Sequence, residues 1–345
     1  NRGNLQKVSA KQVVLKEGSL MKTENIKIGS RRSRLGKSFS PAVTAVFRMV
    51  LLISIGYVII YPLIYMVSTS LVSRNGFFNS ARVWIPEKVS PAFNYKTAWE
   101  LLNYTTSLMA TLKYEIVSAL IEVAACAVTA YGFARVKFKG KTILLGVLFL
   151  TILVPDMLVI IPRMANYSKF DILGIFGFLN KLTGVDLRPD LLDSAAAFYL
   201  PSLFSIGLRS GIIIFIYMQF FSSFPKELEE AAWIDGAGPI KTFLKIAIPS
   251  SGVVITTVIV FSLIWHWNDY LLCAMYLSDD YPLAMSLNML PTALTTMGYY
   301  LNPETPETLA FQMAGCVLFV TPMLVVYMIL QRRFIESIDR VGITG

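Results

Sequence analysis

The chain has 345 residues, of which 55% are hydrophobic and only 15% charged, with a formal net charge of +9 and a single histidine. So little charge over such a length excludes a soluble globular protein and indicates a membrane protein that crosses the bilayer several times. The positive charge does not mark a nucleic-acid binder, because it gathers in the first forty residues and in short loops, as a topology signal does. Cys126, Cys273 and Cys316 are scattered without CxxC spacing and read as small buried hydrophobes.

Met21, followed by KTENIKIGSRRSR, reads as a natural start, and the basic lead and first apolar run are both too long for a cleavable signal peptide. A bilayer core of ~30 Å needs about 20 mostly apolar helical residues. Six stretches qualify: Val43–Val67, Tyr114–Phe133, Thr142–Ile161, Ala195–Phe220, Pro249–Leu272 and Leu309–Leu330. Pro62, Pro155, Pro201 and Pro322 fall inside them, which is tolerable where neighbouring helices shield the freed carbonyls. The expected organisation is all-α: a basic tail over 1–42, a six-span membrane domain over 43–331 and a second tail over 332–345.

Lys and Arg set the orientation. Lys27, Arg31, Arg32, Arg34 and Lys37 precede the first span, Arg135, Lys137, Lys139 and Lys141 follow the second, and Arg332, Arg333 and Arg340 follow the sixth. Cys273–Thr308 carries only acids: Asp279, Asp280, Glu304 and Glu307. The positive-inside rule then puts both termini in the cytoplasm. The longer outward segments are Ser68–Ala110, with Trp84 and Trp99, and Arg163–Ser194, with Asp171, Asp186, Asp190 and Asp193. They are large enough for short helices that either receive a soluble partner or cap the bundle.

Several polar residues fall at bilayer depth, where charge is costly and usually functional or paired. Arg209 lies mid-span between Gly207 and Gly211, a spacing that allows close helix approach. It either faces a cavity or pairs with Glu115 or Glu122. Those two glutamates are seven residues apart on one face of the second span. They form either a proton-handling pair, as in a proton-coupled secondary carrier, or a structural pair with Lys113 and Arg209. Trp265, Trp267, Asn268, Asp269 and Tyr270 form a polar-aromatic cluster suited to sugar rings or to anchoring at an interface. His266 has no second His or Cys nearby and reads as a packed, neutral side chain, so no metal is expected.

The most informative stretch is EAAWIDGAGPIKTFLKIAIP, from Glu230 to Pro249, between the fourth and fifth spans. Pro225 suits a helix start, Ser223 is a candidate cap, and Glu227, Glu229 and Glu230 favour the helix's positive end. Gly236 ends that helix and Pro239 opens a second, in which Ile240, Phe243, Leu244, Ala247 and Ile248 are expected on one face, with Lys241 and Lys245 off it. Over residues 223–249 the expectation is a short helix, a sharp turn and an amphipathic helix along the membrane surface.

The spacing of Glu230, Ala231, Ala232, Gly236, Ile246 and Pro249 resembles the EAA loop of ATP-binding-cassette (ABC) importer permeases, with Ile248 where that family usually has Leu. Ala110–Lys141, ending in AYGFARVKFKGK, and His266–Leu272, HWNDYLL, resemble the carbohydrate-uptake group of the same family. The likeness covers about two thirds of the chain, from the second span on. It implies a type I ABC importer permease fold in a bacterial inner membrane. It further implies a distinct second permease, two cytoplasmic ATPases that bind the ATP and Mg, an extracytoplasmic binding protein and a saccharide substrate moved by alternating access. By the same likeness Glu230, Ala231, Ala232, Asp235 and Gly236 meet the ATPase. Arg209, Trp265, Trp267, Asn268 and Tyr270 are candidates for the substrate path on their own chemistry at bilayer depth, with pairing or interface anchoring as the alternative. The chain itself is not expected to be an enzyme. Gly36-Lys37-Ser38 and Gly140-Lys141-Thr142 imitate phosphate loops, but Arg31 and Arg135 stand where a phosphate loop needs glycine. No HExxH is present, and the one histidine leaves no evident base for a serine nucleophile.

Overall fold

A computed structural model describes residues 41–73, 88–172, 174–298 and 306–342, and the side chains of these except 41, 42, 306, 307 and 332–342. The basic residues before Pro41, Trp84, Glu304 and the side chains of Arg332, Arg333 and Arg340 lie outside that description. Residues up to Ile64 form one compact unit and those from Tyr65 on another. α1 (Pro41–Leu71) is a 31-residue apolar helix with Pro62 inside it.

From Tyr65 onward the described residues are almost wholly helical, with one isolated β-bridge between Val72 and Val89. The helices are α2 (Pro91–Leu101), α3 (Tyr104–Arg135), α4 (Lys141–Leu153), α5 (Asp156–Tyr167), α6 (Ile175–Thr183), α7 (Ala196–Leu203) and α8 (Ser210–Ser223). They continue as α9 (Lys226–Ile234), α10 (Pro239–Ser250), α11 (Gly252–Trp267), α12 (Leu271–Tyr276), α13 (Leu283–Thr296) and α14 (Pro306–Gly342). α2 and α6 are short helices within Ser68–Ala110 and Arg163–Ser194, where short helices are expected.

α3 is the centre of this unit. It packs against α7, α8 and α11, while α14 packs against α2, α11 and α13. Its inner face is small: Cys126, Ala127 and Ala130 let α8 bring in Ile213, Ile214, Tyr217 and Phe221. At 32 residues it is about 48 Å long, more than a bilayer core requires. It begins ten residues before the expected Tyr114 because Tyr104–Ala110 runs into a π-helical segment, Thr111–Ile116, without a break.

Three of the expected spans are not straight. Thr142–Ile161 ends its first helix at Leu153 and turns by 102° into α5, because Pro155 cannot donate to the preceding turn and instead precedes a new helix. Pro249 does not open the fifth span; it lies in the last turn of α10, and the chain bends by 80° at Ser251 before α11. Ala195–Phe220 is interrupted between Leu203 and Ser210. Among the described residues three helices are long and apolar enough to cross a bilayer, or up to five if each bent pair is one span, and α8 is a shorter apolar helix.

The break between α7 and α8 leaves polar groups inside the bundle, and α3 supplies their partners. Thr129 Oγ1 meets Ser205 Oγ at 2.9 Å, and Ser210 Oγ donates to Glu122. Non-helical backbone at membrane depth is stable only when it is satisfied in this way or lines water. The glycines flanking Arg209 serve close approach, as their spacing suggests. A Cβ on Gly207 would lie 2.8 Å from Glu122 Oε1, and one on Gly211 would lie 2.9 Å from Thr151 Oγ1 and Ile152 Cγ1 of α4.

Gly211→Leu is therefore expected to separate α8 from α4 and lower the thermal midpoint of the detergent-solubilised protein. Gly146→Ala, where nothing lies within 4 Å of the added carbon, is expected to leave it unchanged.

Candidate functional site

Two groups of residues stand out, a surface hairpin and a buried charged cluster. The hairpin is α9 and α10. Pro225 stands at the N-terminal boundary of α9, with Glu227 and Glu229 in its first turn. Ser223 is not its cap: it ends α8 and its hydroxyl donates to the Phe220 carbonyl at 2.9 Å. At the other end Gly236 takes φ +79°, Gly236 N–H donates to Trp233 O at 3.0 Å, and Ala237 N–H donates to Ala232 O at 2.9 Å. That pair of bonds is the glycine-dependent stop called a Schellman motif.

The outward side of the hairpin is apolar with acids at its edge. Trp233, Ile234, Ile240 and Leu244 are exposed, Ile234 to 87% and Ile240 to 77%. Glu230, Ala231, Asp235 and Gly236 are exposed with them, whereas Ala232 is buried. The expected single apolar face of α10 does not form. A π-helical segment, Phe243–Ala247, shifts the helical phase, so Phe243 and Ala247 turn inward while Ile240 and Leu244 stay outside. Lys241 and Lys245 accordingly share an open cleft with Ile240, Leu244, Gly238 and Pro239.

The inward side is fixed to α3. Glu229 is 2% exposed, Arg135 Nε lies 3.2 Å from its Oε1, and the Tyr131 hydroxyl donates to the same oxygen at 3.1 Å. Arg135 also donates to the Phe224 carbonyl. The Tyr131 ring packs against Phe243 at 4.9 Å and Phe221 at 5.4 Å between centroids. The Arg135–Glu229 pair was not foreseen; the sequence signal was an arginine at the end of an apolar helix, which read only as a topology charge.

Farther along α3, Glu115 and Glu122 face α11 and close on His266. His266 Nδ1 is 2.9 Å from Glu115 Oε2, and its Nε2 is 2.9 Å from Glu122 Oε2. The three residues are at most 3% exposed. Cys273 Sγ donates to Glu115 Oε1 at 3.1 Å. The expected pairs with Lys113 and Arg209 do not form. Lys113 reaches out to Asp280 at 3.1 Å, and Arg209 makes no ion pair among the described residues. His266 is packed as expected, but it is a bridge between two carboxylates rather than an isolated ring. The two glutamates share one face, as their spacing requires; their partner is more than 140 positions away and no local pattern discloses it.

Arg209 is not within a helix. It occupies the left-handed region at φ +60°, immediately before α8, with its guanidinium 5.4 Å from the Trp265 ring centre. Trp265 in turn stacks on Phe261 at 5.6 Å. The polar-aromatic cluster is divided by the helix that carries it. Trp265 stands beside Arg209, whereas Trp267 is buried and donates its Nε1–H to the Phe319 carbonyl of α14 at 3.2 Å. Asn268 is exposed and donates to the Ile264 carbonyl, Tyr270 is exposed, and Asp269 is buried and accepts from Leu272 N–H at 3.0 Å.

Removing one member of a buried, bonded ion cluster strands the others, at a cost of about 3–5 kcal/mol. His266→Leu is thus expected to lower the thermal midpoint sharply. The triple change Glu115→Leu, Glu122→Leu and His266→Leu, which removes every charge in the cluster, is expected to be less damaging than the single one. Equal or greater loss in the triple variant would contradict this reading.

The family described as "Binding-protein-dependent transport system inner membrane component" matches residues 123–340. The chain is 26% identical over 245 residues to the probable starch degradation products transport system permease protein AmyC of Thermoanaerobacterium thermosulfurigenes, covering 71% of this chain and 78% of that protein. It is 28% identical over 293 residues to the diacetylchitobiose uptake system permease protein NgcG of Streptomyces coelicolor (strain ATCC BAA-471 / A3(2) / M145), covering 84% and 86% respectively. Its fold is similar to that of a chain in the crystal structure of a bacterial ABC transporter involved in the import of the acidic polysaccharide alginate. There the TM-score is 0.64 at 20% identity, over 86% of this chain and 99% of that one. The family match spans more than half of the sequence and the fold agrees with it, so the chain belongs to the inner-membrane permease components of binding-protein-dependent ABC transporters.

Proposed function

We propose that this chain is one of two distinct permease subunits of an ATP-driven importer of a sugar or oligosaccharide in a bacterial inner membrane. Its permease domain runs over residues 43–331, with six spans and cytoplasmic tails at 1–42 and 332–345. It works with two ATP-binding subunits that carry ATP and Mg, and with an extracytoplasmic binding protein that delivers the saccharide. ATP hydrolysis belongs to those partners and not to this chain.

The observation that carries the proposal is the hairpin. It offers a compact apolar surface of Trp233, Ile234, Ile240 and Leu244, edged by Glu230 and Asp235, on a turn held by Gly236. Such a surface suits a groove on a separate protein better than it suits water. In the working cycle, ATP closes the pair of ATP-binding subunits and the hairpin travels with the subunit it occupies. The spans then expose the pathway to one side or the other. ATP shifts this equilibrium only to the extent that the two states differ in contact energy. The relatives' names, a transport system for starch degradation products and an uptake system for diacetylchitobiose, support a saccharide as cargo.

Arg209 supports the course of the pathway. It lies one 14-residue helix, about 21 Å, from the hairpin, and it is exposed in this chain. A guanidinium at that depth is strongly disfavoured against hydrocarbon and belongs in a water-filled passage. There the Arg209–Trp265 pair offers hydrogen-bond donors beside an aromatic face, which matches the hydroxyl rim and C–H face of a sugar ring. Asn268 and Tyr270, both exposed, are assigned to the same lining on their chemistry, whereas Trp267 is turned toward Phe319. The secondary-carrier alternative is set aside, because Glu115 and Glu122 are both engaged by His266 and the family is binding-protein-dependent.

In the transporter reconstituted with its partners, Glu230→Lys and Gly236→Pro are expected to abolish ATP-dependent uptake while membrane insertion stays normal. Arg209→Ala is expected to weaken uptake without releasing the ATP-binding subunits. Uptake by this chain alone in liposomes, without ATP, would refute the proposal.

A further inference from the structure

The hairpin is joined by the chain to only two helices, and both junctions are bent. Phe224 is extended, at φ −66° and ψ 136°, between α8 and α9, and the path turns by 80° at Ser251 between α10 and α11. Breaks of this kind pass a pull along the chain but transmit rotation poorly. α3, the helix on which the unit is built, has no covalent connection to the hairpin nearby. What joins them lies at the end of α3: Tyr131, which meets Glu229 and Phe243, and Arg135, the last residue of the helix.

We infer that Arg135 and Glu229 form a transmission joint: a positioning pair that delivers displacement of the hairpin to α3 and, through α3, to α11. The inference rests on the proposed coupling role of the hairpin and extends it to residues outside the docking surface.

The geometry of the joint is that of a clamp rather than a pivot. Arg135 holds the hairpin at the Glu229 carboxylate and the junction just before it at the Phe224 carbonyl, with its guanidinium 5.9 Å from the centre of the Phe224 ring. Two attachments fix orientation where one would allow swivelling. Tyr131, one turn back on α3, adds a third by donating to Glu229 and packing on Phe243 of α10. The pair is nearly dry, with side-chain exposures of 10% and 3%. A buried ion pair commonly recovers no more than its own desolvation cost, so stability alone is a poor reason for this one. Fixing one orientation of α9 against α3 is a better reason.

The joint also completes a braced frame. The hairpin is linked to α11 by the chain and to α3 by Arg135, and α3 is linked to α11 by Glu115 and Glu122 around His266. Three members joined at three corners cannot shear, so the hairpin cannot slide without carrying α3 and α11. Arg209 rests on Trp265 of α11, which places the lining of the proposed pathway on the same frame.

The test is the amount of saccharide imported per ATP hydrolysed by the reconstituted transporter, because a structural defect lowers both quantities together. Arg135→Ala and Glu229→Gln are each expected to lower that ratio about tenfold, within the usual range of coupling between sites. Together they are expected to do little more than either alone, as partners in one interaction do. Arg135→Lys, which keeps the charge, is expected to recover part of the loss. Should Arg135→Ala fail to assemble, Glu229→Gln carries the test, since its amide oxygen still accepts from Tyr131. Import and hydrolysis falling in proportion, an unchanged ratio, or additive losses in the double variant would overturn the inference. Co-purification of the ATP-binding subunits with each variant separates this outcome from failure of the coupling reading, in which the wild-type hairpin would not hold them at all.

Discussion

Charge that leaves water must find a partner, and in a chain this apolar that requirement governs where helices can meet. α3 carries two glutamates into the bundle, and α11 is turned so that the two nitrogens of a single ring meet both of them. The same requirement fastens the hairpin, because Glu229 is buried and Arg135 is the cation that reaches it. It also governs the broken fourth segment, whose freed polar groups turn toward Thr129 and Glu122 of the same helix. Packing of small residues brings α3 and α8 together, but polar pairing sets how each helix is turned.

A mechanical picture follows. The hairpin presents an apolar surface outward and a clamped acid inward, so the surface proposed to meet a partner and the residues that hold the bundle lie on opposite sides of it. Neighbouring residues divide the work: Glu229 faces α3 while Glu230 faces out, and Ala232 is buried while Ala231 is not. The bends at Pro155 and Ser251 and the break before Arg209 then divide long apolar runs into shorter bodies. Small bodies joined at fixed points suit the alternating access proposed for this chain.

Much of the hairpin was legible in the sequence because its determinants are local. Pro225, the acids after it and Gly236 fix a start and a stop within a dozen residues, and all three behave as their chemistry requires. The face of α10 was not legible, because a π-helical segment shifts the phase and nothing in FLKIA announces it. Hydropathy located the apolar runs but not their bends, since composition is blind to direction; Pro155 was visible, but its consequence depended on what surrounded it. The shared face of Glu115 and Glu122 followed from their spacing, whereas their partner did not. The clue that was available was His266 itself, a lone basic side chain in an apolar helix that also needed company.

Crosslinking at the hairpin tests the central claim most directly. A photo-reactive amino acid placed at Ile240, or at Ile234 beside it, in the fully assembled transporter is expected to yield an adduct with the ATP-binding subunit. Adducts formed only with lipid, or only with the extracytoplasmic binding protein, would put the hairpin on the wrong surface and remove the basis for coupling through it.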